Sequence, residues 1–206
     1  MGLKTVEELR SFCLELSNDQ PSPGGGTASA AAGAMAASLL VMVCEITGRS
    51  KKHESSRPEL MNLKSGLVVQ RDELISLSLE DARAYDLVVG AVRGRKAEPG
   101  DASEREYQAA LKHASEVPQK TATACLRVLE TAIAVAGIGT RSASSDVGVA
   151  VLLADAGFEG AAMNVKINLA DISDRPFVKA ARGKLAVQMK QAKDAVSKTL
   201  AVLAKR

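Results

Sequence analysis

Residues 20–44 read QPSPGGGTASAAAGAMAASLLVMVC, and this stretch decides the fold. From Gln20 through Gly26, two prolines and three consecutive glycines deny the chain a helix. From Thr27 to Thr47 the chain is almost wholly apolar and uncharged as far as Cys44, with Gly48 placed as a helix stop. That run approaches the lower limit for a membrane span. It is built of Ala, Ser and Gly, which are weakly hydrophobic, so a buried central helix is the preferred reading over a transmembrane one. Small residues at Ala30, Ala34 and Ser38, or at Ala32 and Ala36, would let neighbouring helices approach closely.

The flanking sequence carries legible helix starts. Thr5 with Glu8 forms a capping box for a first helix reaching Ser17. Ser56, Pro58 and Glu59 open a very long helix to Val92, about 50 Å at 1.5 Å per residue. Pro99-Gly100 is a turn, and Asp101 with Glu104 opens a helix to Ala114. Pro118 stands where a first-turn proline belongs and opens another to Ala136. Ser144 or Ser145 caps a helix from Asp146 to Leu169, and Ser173 with Pro176 opens the last. The expectation is a single all-α domain over residues 1–206, an up-and-down bundle of about seven helices. The long third helix should outrun its bundle and pack on a second subunit, giving a homodimer.

Composition agrees and excludes several classes. With no Trp, two Tyr and three Phe, the core must come from Ala, Leu, Val and Ile, which suits close-packed helices better than a sandwich. The 27 basic and 24 acidic residues nearly balance, and no basic stripe supports nucleic-acid binding. Cys13, Cys44 and Cys125 fit neither a disulfide framework nor a metal site, and Lys4, Glu7, Glu8 and Arg10 interrupt any secretory signal. A reducing cytoplasm is expected.

A few residues do not belong in a plain bundle. Asp81 falls within the apolar stripe of Leu74, Leu77, Tyr85 and Val88, where a carboxylate must be paired or put to use. Gly24, Gly25 and Gly26 precede a helix N-terminus, as an anion-binding loop or a tight helix crossing would require. Arg49, Lys51 and Lys52 follow that helix, as dipole partners or as a clamp for a polyanionic tail. Asp146 is a first-turn acid. Asn164 and Asn168 lie one turn apart on an apolar helix, marking an internal network or a site. His53 and His113 lie beside charges, and no metal cluster is expected.

These features fall together in one pattern. Pro21-Ser22-Pro23-Gly24-Gly25-Gly26-Thr27 before an Ala-rich helix resembles the opening of the formimidoyltetrahydrofolate cyclodeaminase/methenyltetrahydrofolate cyclohydrolase family. The later order is similar: Asp81-Ala82-Arg83-Ala84-Tyr85, Glu116-Val117-Pro118, Ser145-Asp146-Val147-Gly148-Val149-Ala150, and Asn164-Val165-Lys166-Ile167-Asn168. The chain departs from the pattern at Gly48-Arg49-Ser50-Lys51-Lys52-His53 and at Arg141-Ser142-Ala143-Ser144.

The resemblance implies an all-helical, dimeric enzyme of folate one-carbon metabolism that uses no metal or redox cofactor. It implies one of two reactions, and a chain with no room for the formiminotransferase domain of bifunctional relatives favours a cyclohydrolase opening the amidinium ring of 5,10-methenyltetrahydrofolate. The alternatives are a cyclodeaminase releasing ammonia from the formimidoyl folate, or a non-catalytic folate-binding scaffold. Asp81 would move the proton, Tyr85 would orient the pterin, and Asp146 and Asn164 would hold polar groups of pterin or one-carbon unit, with Asn168 beside them. The Gly24, Gly25 and Gly26 amides, with Lys51 and Lys52, would receive the carboxylates of the glutamate tail.

Overall fold

The computed structural model describes residues 2–206 and, among them, contains six α-helices, two short 3-10 turns and no strand. The helices are α1 (Gly2–Leu16), α2 (Gly25–Gly48), α3 (Arg57–Ala97), α4 (Asp101–Ile138), α5 (Ser144–Asn168) and α6 (Arg175–Leu203). The turns, Lys51–Ser56 and Arg141–Ala143, follow the C-termini of α2 and α4. The all-α bundle is as the sequence predicts.

The apolar α2 is the hub. It packs against α3, α4 and α5 and buries Ala30, Ala34, Ala36, Ala37, Leu40, Val43 and Cys44. α2 and α4 are both long and apolar enough to cross a membrane by length and composition. In this fold they form the centre of the bundle instead. Closest approach comes from glycine more than from the alanines and serine read as spacers. A Cβ on Gly157 would lie 2.7 Å from the Ser29 carbonyl oxygen, and one on Gly33 would lie 2.6 Å from Cys125 Sγ. Ser38 points outward.

Pro118 does not start a helix. α4 runs unbroken through it, so the two helices expected across Asp101 to Ala136 are one. The physical reason lies in α5. Proline lacks the N–H that would bond the carbonyl four residues back, and Asn168 Nδ2 donates to that carbonyl, Ala114 O, at 2.6 Å. Asn168 thus replaces the missing backbone donor.

An unbroken α4 also changes the surroundings of α3, which spans 41 residues, about 60 Å. The C-terminal part of α3 does not run on alone. It pairs with the start of α4, where Arg95 stacks 3.8 Å from the Tyr107 ring centroid and bonds Glu104 at 3.2 Å. Three cap positions differ from expectation. α5 starts at Ser144 with Ala143 as its N-cap, so neither Ser144 nor Ser145 caps it. α1 begins at Gly2, ahead of the Thr5 and Glu8 box, and α6 is capped by Asp174, not Ser173, accepting from Phe177 N at 3.0 Å.

At the other end of the bundle, Arg206 donates to the carbonyls of Ala136, Gly137 and Gly139, satisfying the C-terminus of α4. Thr140 N donates to the buried Thr47 Oγ1 at 2.9 Å, tying the α4–α5 connection to the C-terminal end of α2.

The substitution Asn168→Ala leaves Ala114 O without a donor. It should lower stability by about 1–3 kcal/mol, read as a shifted midpoint in urea unfolding.

Candidate active site

The chemistry gathers at the N-terminal end of α2. The Thr27 hydroxyl donates to Asp81 Oδ2 at 3.2 Å, bringing the middle of α3 onto the first turn of α2. A Cβ on Gly26 would lie 2.1 Å from Asp81 Oδ1, so only glycine leaves the carboxylate room. Asp81 therefore sits where the unsatisfied N–H groups and the positive end of the α2 dipole converge.

Burial raises the Asp81 pKa above the ordinary carboxylate range, opposed by hydrogen bonds from the Thr27 side chain and backbone. No cation is paired with it among the described residues. A carboxyl group that holds its proton more readily than usual, yet can still ionise, is suited to general acid–base work.

Beside Asp81 opens a cavity of about 310 Å³ between the start of α2, α3, α4 and the end of α5. Gly24, Gly25 and Gly26 form one edge, Asn164 and Asn168 another. Val88, Leu111 and Ile167 supply apolar wall, and Tyr85 and Tyr107 supply rings. Asn164 Nδ2 donates to Gly160 O at 2.9 Å, which fixes its amide plane at the cavity rim.

Sequence reasoning found Asp81, Tyr85, the glycines and both asparagines, and the structure brings these together. It missed Tyr107 and Asp171. The signal for Tyr107 was available: the chain has only two tyrosines, and both line this one cavity.

The remaining expected residues lie elsewhere. Lys51 and Lys52 occupy the 3-10 turn beyond the C-terminus of α2, which is 24 residues long, so they stand about 36 Å from the glycines. Asp146 is at the start of α5, about 27 Å along that helix from Asn164. Within one protomer these three do not border the cavity. Neither do the buried thiols, which burial pushes up to about 11 at Cys44 and about 12 at Cys125. At such values they are poor nucleophiles.

The raised Asp81 pKa has a stability consequence. The folded state binds this proton more tightly than the unfolded chain, so ionisation at neutral pH opposes folding. Asp81→Asn should therefore stabilise the fold at neutral pH. The gain should shrink as pH falls and disappear below the usual Asp range, as measured by urea unfolding across pH.

Known proteins resemble this chain in sequence and in fold. Residues 8–187 match the formiminotransferase-cyclodeaminase family. The methenyltetrahydrofolate cyclohydrolase of Methylorubrum extorquens is 37% identical over 176 residues, covering 83% of each chain. The formimidoyltransferase-cyclodeaminase of Rattus norvegicus is 30% identical over 200 residues, which is 96% of this chain and 37% of the rat protein. Among solved structures, the formiminotetrahydrofolate cyclodeaminase of Thermotoga maritima superposes with a TM-score of 0.88 at 29% identity, covering 97% of this chain and 98% of that one. With both its sequence and its helix arrangement matched across nearly the full length, the chain belongs to the formiminotransferase-cyclodeaminase family.

Proposed function

We propose that this protein is a methenyltetrahydrofolate cyclohydrolase working in the cavity beside Asp81. The observation that carries the reaction type is a carboxyl group with a raised pKa, unpaired with any cation among the described residues, lining a cavity that both tyrosines also line. The substrate class follows from the similarity to the Methylorubrum extorquens cyclohydrolase over 83% of each chain.

The chemistry fits one acid–base group. The amidinium carbon of 5,10-methenyltetrahydrofolate is electrophilic. Ionised Asp81 accepts a proton from water as its oxygen bonds to that carbon. Asp81 then delivers the proton to nitrogen as one of the two C–N bonds breaks. The second water proton leaves to solvent as the carbonyl forms, so the formyl group stays on the other nitrogen. The ionised carboxylate also offsets the positive charge of the substrate. Tyr85 and Tyr107 present rings to the pterin, and the reaction so drawn requires neither a metal nor a redox cofactor.

A second reading is cyclodeamination, in which a folate nitrogen attacks the formimino carbon and ammonia leaves. Chain length does not separate the two. The Thermotoga maritima cyclodeaminase is 98% covered by this chain and is of similar size. We assign the reaction to the cytoplasm, a reading supported by three unpaired cysteines.

We also propose a homodimer. A compact monomer of 21.5 kDa exposes about 9,200 Å², whereas this protomer exposes 11595 Å². That excess is more than the roughly 800 Å² each partner contributes to a standard interface.

Purified protein should accelerate loss of the 5,10-methenyltetrahydrofolate chromophore, and Asp81→Asn should lose roughly 10²–10⁴-fold of that rate. Ammonia release from the formimidoyl folate, without chromophore loss, would replace the first reading by the second.

A further inference from the structure

A second cavity, of about 300 Å³, lies over α4 and is bordered by Glu73 of α3 and Lys184 of α6. It shares no residue with the cavity at Asp81. From α4 come Glu116, Gln119, Lys120, Thr123 and Arg127, which recur at helical spacing on one face. The volume is at the lower end of the range for small-molecule sites.

The charged groups here divide into paired and open ones. Arg127 pairs with Glu73, and Lys120 donates to Glu80 at 2.9 Å, so both cations are held to α3. Glu116 and Lys184 are exposed and line the same cavity. Neither has an ion-pair or hydrogen-bond partner among the described residues. One carboxylate and one ammonium group are thus left open where every other charge is matched.

A polar network leaves a third group unmet. The Thr123 hydroxyl donates to the Gln119 backbone oxygen at 2.8 Å, so towards Gln188 it can only accept. Gln188, 6% exposed, therefore turns its Nε2 to Thr123 at 2.9 Å and its Oε1 to Gln119. Gln119 donates to that oxygen through Nε2 at 2.7 Å, and its own Oε1 is left buried without a donor. Exchanging the N and O of the Gln119 amide would set two oxygens against each other, so the network itself fixes this orientation. A buried acceptor without a donor is unfavourable, and this one belongs to a residue of the cavity wall.

A ligand that meets all three groups carries a cationic N–H donor for Glu116 and Gln119 and an anion for Lys184. It has no net charge, because the lining has none to offset: Lys120, Arg127 and Lys184 are matched in number by Glu73, Glu80 and Glu116. A phosphate or dicarboxylate would satisfy Lys184 but bring negative charge against Glu116. A polyamine would do the reverse.

We propose that this cavity binds a free zwitterionic α-amino acid. Its ammonium group bonds Glu116 and the Gln119 amide oxygen, and its carboxylate bonds Lys184. Thr123 and the Glu73–Arg127 pair lie along the rest of the wall, which favours a polar side chain. The site does not depend on the reaction assigned to the Asp81 cavity, and it is tested without that reaction.

The test is thermal unfolding of the full-length protein with each of the common L-amino acids at about 10 mM. At least one with a polar side chain should bind with a Kd of about 1 mM or tighter, raising Tm by about 3–5 °C at that concentration. Its N-acetyl and carboxamide derivatives, which each lack one of the two charges, should give no shift. Glu116→Gln and Lys184→Gln change exposed side chains, so each should keep the ligand-free Tm while weakening binding roughly tenfold or more. No shift with any amino acid overturns the proposal. So does a shift that the blocked derivatives reproduce, or one that both variants retain in full.

Discussion

The fold depends on how closely three helices can approach α2 at once. A helix with ordinary side chains all round would hold its neighbours too far away for the contacts seen here. At Gly26, Gly33 and, from the α5 side, Gly157, a single added carbon would meet Asp81, Cys125 or the Ser29 backbone at well under van der Waals distance. The alanine-rich remainder of α2 gives up contact area per residue. It recovers this by having almost its whole circumference, apart from one stripe, in contact with protein. The site inherits the same constraint, because the absent Gly26 side chain is what seats Asp81 against the first turn of α2.

The cavity lies where two apolar clusters meet. The larger follows α2 through the middle of the bundle, and the smaller joins Leu111, Val165, Leu169, Ile172 and Val178 under the hairpin of α3 and α4. The polar groups of the site occupy the seam between them, so both sides of the cavity are held by packed side chains. Asp81 gains its raised pKa from this location and keeps its orientation through Thr27.

Much of this was legible in the sequence, for reasons that can be named. Periodicity and the run at 20–44 identified the helices, because apolar spacing along one chain determines which faces are buried. Asp81 was visible because a charge on an apolar stripe is a local contradiction. What the sequence concealed was long-range. Nothing near Pro118 reveals that a side chain fifty residues later supplies its missing hydrogen bond, so the proline read as a start. The resemblance sets Lys51 and Lys52 with the glycine loop and Asp146 with Asn164, although helices legible in the sequence lie between the members of each pair and hold them far apart within one protomer.

The bond between Asn168 and α4 ties together two positions that inheritance would otherwise treat as independent. Replacing Pro118 by a residue with a backbone N–H would restore the helix's own donor and leave the Asn168 amide without its acceptor, at the border of the cavity. Replacing Asn168 first would strand the carbonyl. Lineages can therefore exchange this pair most easily in one order, proline before asparagine. The intermediate on that path carries a newly available amide facing bound ligand, so a change in the core of α4 offers a route to altered substrate choice.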